Sequence, residues 1–378
     1  MAQRFIPVAT PTLAGNEKTY VMDCLESTWI SSRGEYIERF ETAFADFCGV
    51  EHAVSCSNGT TALHLALLAL GVGSGDEVIV PTLTFVATAN AVTYCGGRPV
   101  FVDAEPETWN INPALIEAKI TPRTKGIIVV HLYGHPVDMD PIMSIARRRG
   151  LFVLEDAAEA HGATYKEKTV GSIGEIATFS FFPNKVFTTG EGGMVVTNDE
   201  SMARNVHLLK EQGMDPDRLY WHAVIGYNYR MTNIAAAIGL AQIEKANWHL
   251  QRRREVATCY REQLQDVPEL LLQAEKKWAR HVYQFFTIVL SDEIALIREQ
   301  VIAHLQSRGI EGRPVVYPLH TLPPYFDPSQ KDDFPVAERI ASRGINLPTS
   351  TELTREEVRY MCDSLLECVA RSKKRTRL

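Results

Sequence analysis

No stretch of the 378-residue chain stays apolar long enough to cross a membrane: runs such as Ile127–Val130 and Ala62–Leu70 fall far short of the roughly 20 residues required. The opening residues, MAQRFIPVATPTLAGNE, lack an apolar core and a cleavage-like site, so no secretory signal is expected. Cysteine is sparse and scattered. Cys24, Cys48, Cys56, Cys95, Cys259, Cys362 and Cys368 include no C-x-x-C pair, which argues against a zinc site or a disulfide framework and favours a reducing, cytoplasmic setting. Positive charge is in deficit, with 39 Lys and Arg against 46 Asp and Glu, a net charge of −7. A nucleic-acid partner is not expected of such a chain. Repeats and low-complexity tracts are absent, and no metal site is expected.

What is present is an alternation of strand-like and helix-like segments between about residues 52 and 197. His52–Cys56 reads as a strand, and Ser57-Asn58-Gly59-Thr60 then opens a helix, Thr61–Leu70, that Gly71 closes. Glu77–Val80, Pro99–Val102, Gly126–Val130, Leu151–Leu154, Ala177–Phe182 and Met194–Thr197 are further strands; a helix from Pro141 ends at Gly150. Continuously apolar strands separated by helices predict an α/β sheet buried on both faces. A helical pattern from Thr232 toward Leu264 leaves the large domain near residue 245. Strands at Phe285–Leu290 and Pro314–Tyr317, with helices at Ile294–Ser307 and Thr354–Val369, then suggest a smaller domain. The expected division is 1–245 and 246–378. The basic end, Arg371–Leu378, reads as a solvated, frayed tail.

Three local patterns carry chemistry. Lys185 follows the apolar strand end Phe179-Ser180-Phe181-Phe182 and precedes a glycine-rich turn, Gly190–Gly193. Partial burial there frees an amine to act as a nucleophile; the plain alternative is a surface lysine. Asp156 follows the strand Leu151–Leu154, where ligands of open α/β sheets bind, and can pair with a protonated ring nitrogen; the alternative is an acid at a helix N-terminus. Ser57 to Ala62 places small residues and hydroxyls at a helix start, an anion site or else an ordinary N-cap. Together they supply a nucleophile, a ring partner and a phosphate cradle at strand ends of one sheet.

In order along the chain stand Ser57-Asn58-Gly59-Thr60-Thr61-Ala62-Leu63, Pro81-Thr82-Leu83-Thr84-Phe85, Glu155-Asp156-Ala157-Ala158, Ser180 through Lys185, and Gly226-Tyr227-Asn228-Tyr229-Arg230-Met231. From Ile6 to Pro348 the chain resembles the pyridoxal 5′-phosphate-dependent sugar aminotransferases of the DegT/StrS type. That resemblance implies the aspartate aminotransferase fold (fold type I): a large domain with a mixed, mostly parallel sheet flanked by helices, plus a smaller α+β domain. It also implies that Lys185 binds the cofactor covalently and moves the proton. Asp156 would meet the pyridine nitrogen, and Phe85 would stack on the ring unless it is an ordinary core aromatic. Gly59, Thr60 and Ser180 would hold the phosphate, with Glu159 near O3′. Asn228 would reach a phosphate in the neighbouring subunit, making a homodimer with a shared active site. Thr188–Gly193, Glu159, Asn184 and Thr28–Ser32 resemble enzymes that aminate C4 of a nucleotide-linked 4-keto sugar. The implied donor is L-glutamate and the implied acceptor GDP-4-keto-6-deoxy-D-mannose; UDP- or dTDP-sugar acceptors, and a regulator that binds the cofactor without turnover, are the rivals. Trp29, Arg230, Arg313, Tyr317 and His320 are candidate substrate contacts, with core or surface roles as their alternatives.

Overall fold

Short runs rich in Val and Ile build the centre of the molecule. The computed structural model describes residues 5–375 apart from 293, 295, 296 and 331. Its strands are β1 (His52–Cys56), β2 (Glu77–Pro81), β3 (Arg98–Val102), β4 (Thr124–Val130), β5 (Phe152–Asp156), β6 (Thr164–Tyr165), β7 (Lys168–Thr169), β8 (Ile176–Ser180), β9 (Gly193–Thr197), β10 (Leu270–Leu272), β11 (Ala279–Arg280), β12 (Phe286–Leu290), β13 (Arg313–Pro314) and β14 (Gly344–Leu347). Seven of them form one sheet in the order β1-β9-β8-β5-β4-β2-β3. β9 is antiparallel to both neighbours and the remaining pairs are parallel, the mixed, mostly parallel sheet expected.

Val78, Ile79 and Val80, like Ile127, Ile128 and Val129, are buried in succession, so both faces of the sheet are covered. The covering helices are α1 (Glu17–Glu26), α2 (Glu35–Cys48), α3 (Gly59–Ala69), α4 (Ala87–Tyr94), α5 (Met139–Arg149), α6 (Glu200–Lys210) and α7 (Asn233–Glu244). Along β9 the side chains alternate: Val195 joins the core containing Leu63 and Leu65 of α3, while Met194 and Val196 join Phe40 and Phe44 of α2. Gly150, left-handed at φ 65°, ends α5 where the sequence placed a stop.

The long helical pattern from Thr232 divides at Lys245 into α7 and α8 (Ala246–Leu264). Beyond it, β10, β12, β14 and β13 form a four-stranded antiparallel sheet whose own core takes side chains from α8, α9 (Arg298–Ser307) and α11 (Arg355–Arg375). Ile6 pairs with Ile310 and joins that core, so the chain's first described residues pack against its last third. Two expectations need correction here. The strand predicted over Pro314–Tyr317 is only Arg313–Pro314: the Val315 N–H still donates to the Gly344 carbonyl at 3.1 Å, but the Val316 N–H turns to the Tyr133 hydroxyl at 3.5 Å and leaves the ladder. The helix predicted from Ile294 starts at Arg298, after an extended Ile297. α11 carries the backbone of the basic end in helical form to Arg375, and 376–378 lie outside the described residues.

Glu155, next to Asp156 on β5, is fully buried. It accepts N–H groups from Gly171 (2.8 Å), Ile173 (2.8 Å) and Gly174 (2.7 Å) and pairs with His131 Nε2 at 3.1 Å. Burial pushes its pKa up, but the His131 contact and the amides outweigh that and hold it below the ordinary 4.5. Its contribution is therefore present above pH 4.5 and lost as pH falls through the lower, folded value. Glu155→Ala is expected to cost about 3 kcal/mol or more near neutral pH. The gap to wild type, measured by denaturant unfolding, should shrink as the buffer is taken below 4.5.

Candidate active site

Four strand ends deliver the site. β5 ends in Asp156, β8 in Ser180, β1 leads through Ser57 and Asn58 into α3, and β2 leads through Thr82 to Phe85. All four are carboxyl ends of strands that run the same way, the edge where open α/β sheets bind ligands.

After Ser180 the chain turns, and the Lys185 N–H donates to the Phe182 carbonyl at 2.9 Å. The Lys185 side chain is 14% exposed, and its Nζ lies 3.6 Å from Glu159 Oε1. The other Glu159 oxygen accepts the Tyr133 N–H at 2.8 Å. Tyr133 adopts φ 55°, a left-handed conformation costly for a bulky residue, and that conformation presents its N–H to the carboxylate.

Asp156 is buried. Its Oδ2 accepts the Thr88 hydroxyl at 2.8 Å and its Oδ1 the Ala158 N–H at 3.2 Å. Burial raises its pKa; Thr88, Ala158 and the Lys185 charge pull the other way without cancelling it. A carboxylate in that position is short of positive charge, which a protonated ring nitrogen supplies.

At the start of α3, Asn58 and Thr61 form a reciprocal capping box. Gly59 and Thr60, the first two helical residues, have no intrahelical acceptor for their N–H groups, so these can serve an anion. A Cβ on Gly59 would stand 2.7 Å from Ser180 Cβ. Only glycine lets the helix start and the end of β8 approach so closely. Lysine amine, buried carboxylate and amide cradle together fit a phosphorylated pyridine aldehyde. Gly59→Ala is expected to weaken pyridoxal phosphate binding about tenfold or more, at roughly 1–3 kcal/mol of overpacking; equilibrium titration followed by absorbance checks it.

Residues 11–366 match the DegT/DnrJ/EryC1/StrS aminotransferase family. The chain belongs to that family. Two of its relatives are GDP-perosamine synthases. That of Caulobacter vibrioides is 53% identical over 354 residues, covering 93% of this chain and 95% of the relative. That of Escherichia coli O157:H7 is 52% identical over 364 residues, covering 96% and 98%. Among solved structures, DesI in the presence of its TDP-sugar product superposes with a TM-score of 0.92 at 31% identity, covering all of this chain and 95% of the other. The cofactor of this aminotransferase is pyridoxal 5′-phosphate.

The structure of this family member brings Lys185, Glu159 and Asp156 together, and sets Gly59 against Ser180. Phe85 is 62% exposed just before α4, so its alternative as a core aromatic is excluded. Trp29 is also exposed; its carbonyl accepts from Asn233. Asn228 is exposed and accepts from Arg230 Nε at 3.1 Å, and Arg230 pairs with Glu211 at 3.4 Å, so both make their described contacts within their own loop. Arg313 pairs with Glu311, and the exposed Tyr317 ring has Arg298 over it. His320 departs from the expected substrate contact. It is buried, its Nδ1 bonds Thr82 Oγ1 at 2.7 Å and its Nε2 meets Glu338 at 3.1 Å, so both ring nitrogens have partners within the protein. Thr88 and Tyr133 were not anticipated from the sequence, and no local motif marks them.

Proposed function

We propose that the protein transfers the amino group of L-glutamate to C4 of GDP-4-keto-6-deoxy-D-mannose, giving GDP-perosamine. The observation that carries this reading is the Lys185–Glu159–Asp156 constellation in a chain more than 50% identical to two GDP-perosamine synthases. When bound, pyridoxal 5′-phosphate supplies an electron sink and carries the amino group between two half-reactions. The protein's residues do the rest. Lys185 Nζ is the covalent anchor and the group that takes and returns the proton at the reacting carbon. Glu159 holds that amine in reach. Asp156 would accept a hydrogen bond from the ring N–H, and its charge would favour the protonated ring. The N–H groups of Gly59 and Thr60, with Ser180 Oγ, would hold the phosphate dianion. The low exposure of Lys185 limits access of water to the reacting atoms.

Incubation with GDP-4-keto-6-deoxy-D-mannose and glutamate, read by mass spectrometry, should give a GDP-4-amino sugar. Amination of only a UDP- or dTDP-linked ketosugar would overturn the nucleotide assignment. A protein that holds the cofactor yet transfers nothing from glutamate would be a binder, and the enzymatic reading would go with it.

The same reading takes the protein to be a homodimer in which Asn228 reaches the partner's phosphate. Its support is the exposed apolar run around that loop, with Tyr220 81% and Ile225 91% exposed. Ile225→Asp should shift the sedimentation coefficient toward monomer and lower cofactor occupancy; a monomeric wild-type protein with full activity contradicts it.

A further inference from the structure

Arg253, on α8, is 4% exposed and has no acidic partner among the described residues. Burial lowers its pKa to about 10, so it stays charged at neutral pH. A buried cation without a counter-ion is costly, and an apolar side chain of similar size would spare that cost. What the guanidinium does instead is bind three main-chain carbonyls from three separate segments. Nη2 donates to the Lys185 carbonyl at 3.2 Å, and Nη1 to those of Gln284 (3.1 Å) and Thr349 (3.3 Å). Gln284, itself fully buried, extends the network. Its side-chain amide donates to the Asn184 carbonyl, and its N–H donates to the Tyr133 carbonyl at 2.8 Å.

The consequence is local and specific. The carbonyls of Asn184 and Lys185 are both held, and the Lys185 N–H is held by Phe182, so the freedom left at this residue lies in its side chain. Tyr133, fixed through Gln284, is the residue that presents its N–H to Glu159, the carboxylate beside Lys185 Nζ. One network thus sets both the lysine main chain and the group that receives its amine. We propose that Arg253 is a positioning residue for Lys185, its fork fixing the lysine main chain and, through Gln284, the Tyr133–Glu159 contact. The inference rests on the reading of Lys185 as the cofactor lysine.

The test is the rate at which cofactor-free, full-length protein forms the imine with added pyridoxal 5′-phosphate. In that step Lys185 Nζ adds to the aldehyde carbon and the aldehyde oxygen leaves as water, giving a visible absorbance band. Arg253→Met removes the fork. Arg253→Lys keeps the charge but cannot span three carbonyls. Tyr260→Phe is the control: it removes a buried hydrogen bond to the Pro348 carbonyl, in the segment that Arg253 also holds, without touching Lys185. Both Arg253 variants should slow imine formation about tenfold or more and lower kcat with KM for glutamate little changed. Tyr260→Phe should stay within about twofold of wild type even where its melting temperature falls as far. Arg253→Lys at the wild-type rate, or Tyr260→Phe slowed as much as the Arg253 variants, overturns the proposal. Should Arg253→Met fail to fold, Arg253→Lys decides alone. A wild-type protein that never develops the band removes the cofactor-lysine reading and this inference together, whereas a normal wild-type band with unaffected Arg253 variants removes only the inference.

Discussion

Lys185→Ala is expected to abolish transfer, by roughly five orders of magnitude or more, and to remove the visible absorbance of the covalently held cofactor. The size of the loss follows from the surroundings. No neighbouring group described beside Lys185 can replace its amine. Arg253 presents a guanidinium that is charged at neutral pH to the lysine carbonyl, and His161 is held neutral, its pKa brought to about 3 by burial first and by the Lys185 and Arg253 charges after it. Glu159 and Asp156 can accept a proton but cannot form an imine. The fold should survive the change, because Glu159 keeps its bond to the Tyr133 N–H and Lys185 contributes only a partly buried side chain at the rim of the sheet. A stability change within about 1 kcal/mol is expected, so lost activity will not reflect unfolding. Lys185→Arg should be as inactive as the alanine variant, since charge without a free amine does not serve. Residual turnover within a hundredfold of wild type, or a persisting visible band in either variant, would falsify the assignment.

The parts of this site that could be read from the chain are those that follow a strand directly. Asp156, Ser180 and Gly59 stand at or just past the ends of Val-, Ile- or Phe-rich runs, and Lys185 lies one turn beyond, so finding the strands found the residues. The supporting residues were illegible because their contacts are long-range and often made by backbone atoms. Thr88 meets Asp156 across 68 residues with nothing but an ordinary helical threonine to mark it. Arg253 sits in the run Arg252-Arg253-Arg254, where no sequence feature sets the middle residue apart from its neighbours. Arg252 and Arg254 do pair with Glu255 and Glu275, while the middle arginine turns inward to carbonyls. Tyr133 acts through its N–H and its left-handed backbone, neither of which its side chain announces. His320 shows another contact that the chain did not announce. It stood as a candidate substrate contact in the run Gly312–His320, and the fold uses both of its ring nitrogens to tie residue 320 to Thr82 and Glu338. The small sheet was legible at β12, a continuous apolar strand, and poorly so at β13, where the Val316 N–H leaves the ladder for the distant Tyr133 hydroxyl.

Asp156→Asn should separate stability from catalysis. The wild-type carboxyl has its pKa raised above the ordinary 3.8, chiefly by burial. Its stabilising contribution is therefore complete below pH 3.8 and lost as pH rises through the folded value, so at neutral pH the buried charge works against the cofactor-free fold. Asparagine removes that charge. The Thr88 hydroxyl can reverse to accept from the new amide, and Ala158 N–H can still find the amide oxygen. The cofactor-free Asn variant should consequently melt above the wild type at pH 7, and the difference should vanish toward pH 3.8. Cofactor binding should invert the order, because a protonated ring nitrogen offsets the carboxylate charge in the wild type and finds only a dipole in the variant. Transfer should fall about a hundredfold to a thousandfold, the usual cost of removing one electrostatic partner of a developing charge. Thermal melts with and without pyridoxal 5′-phosphate, paired with initial rates, read both effects. A variant that is less stable than wild type without cofactor, or that turns over at close to the wild-type rate, would mean that the buried carboxylate is there for the fold and not for the ring.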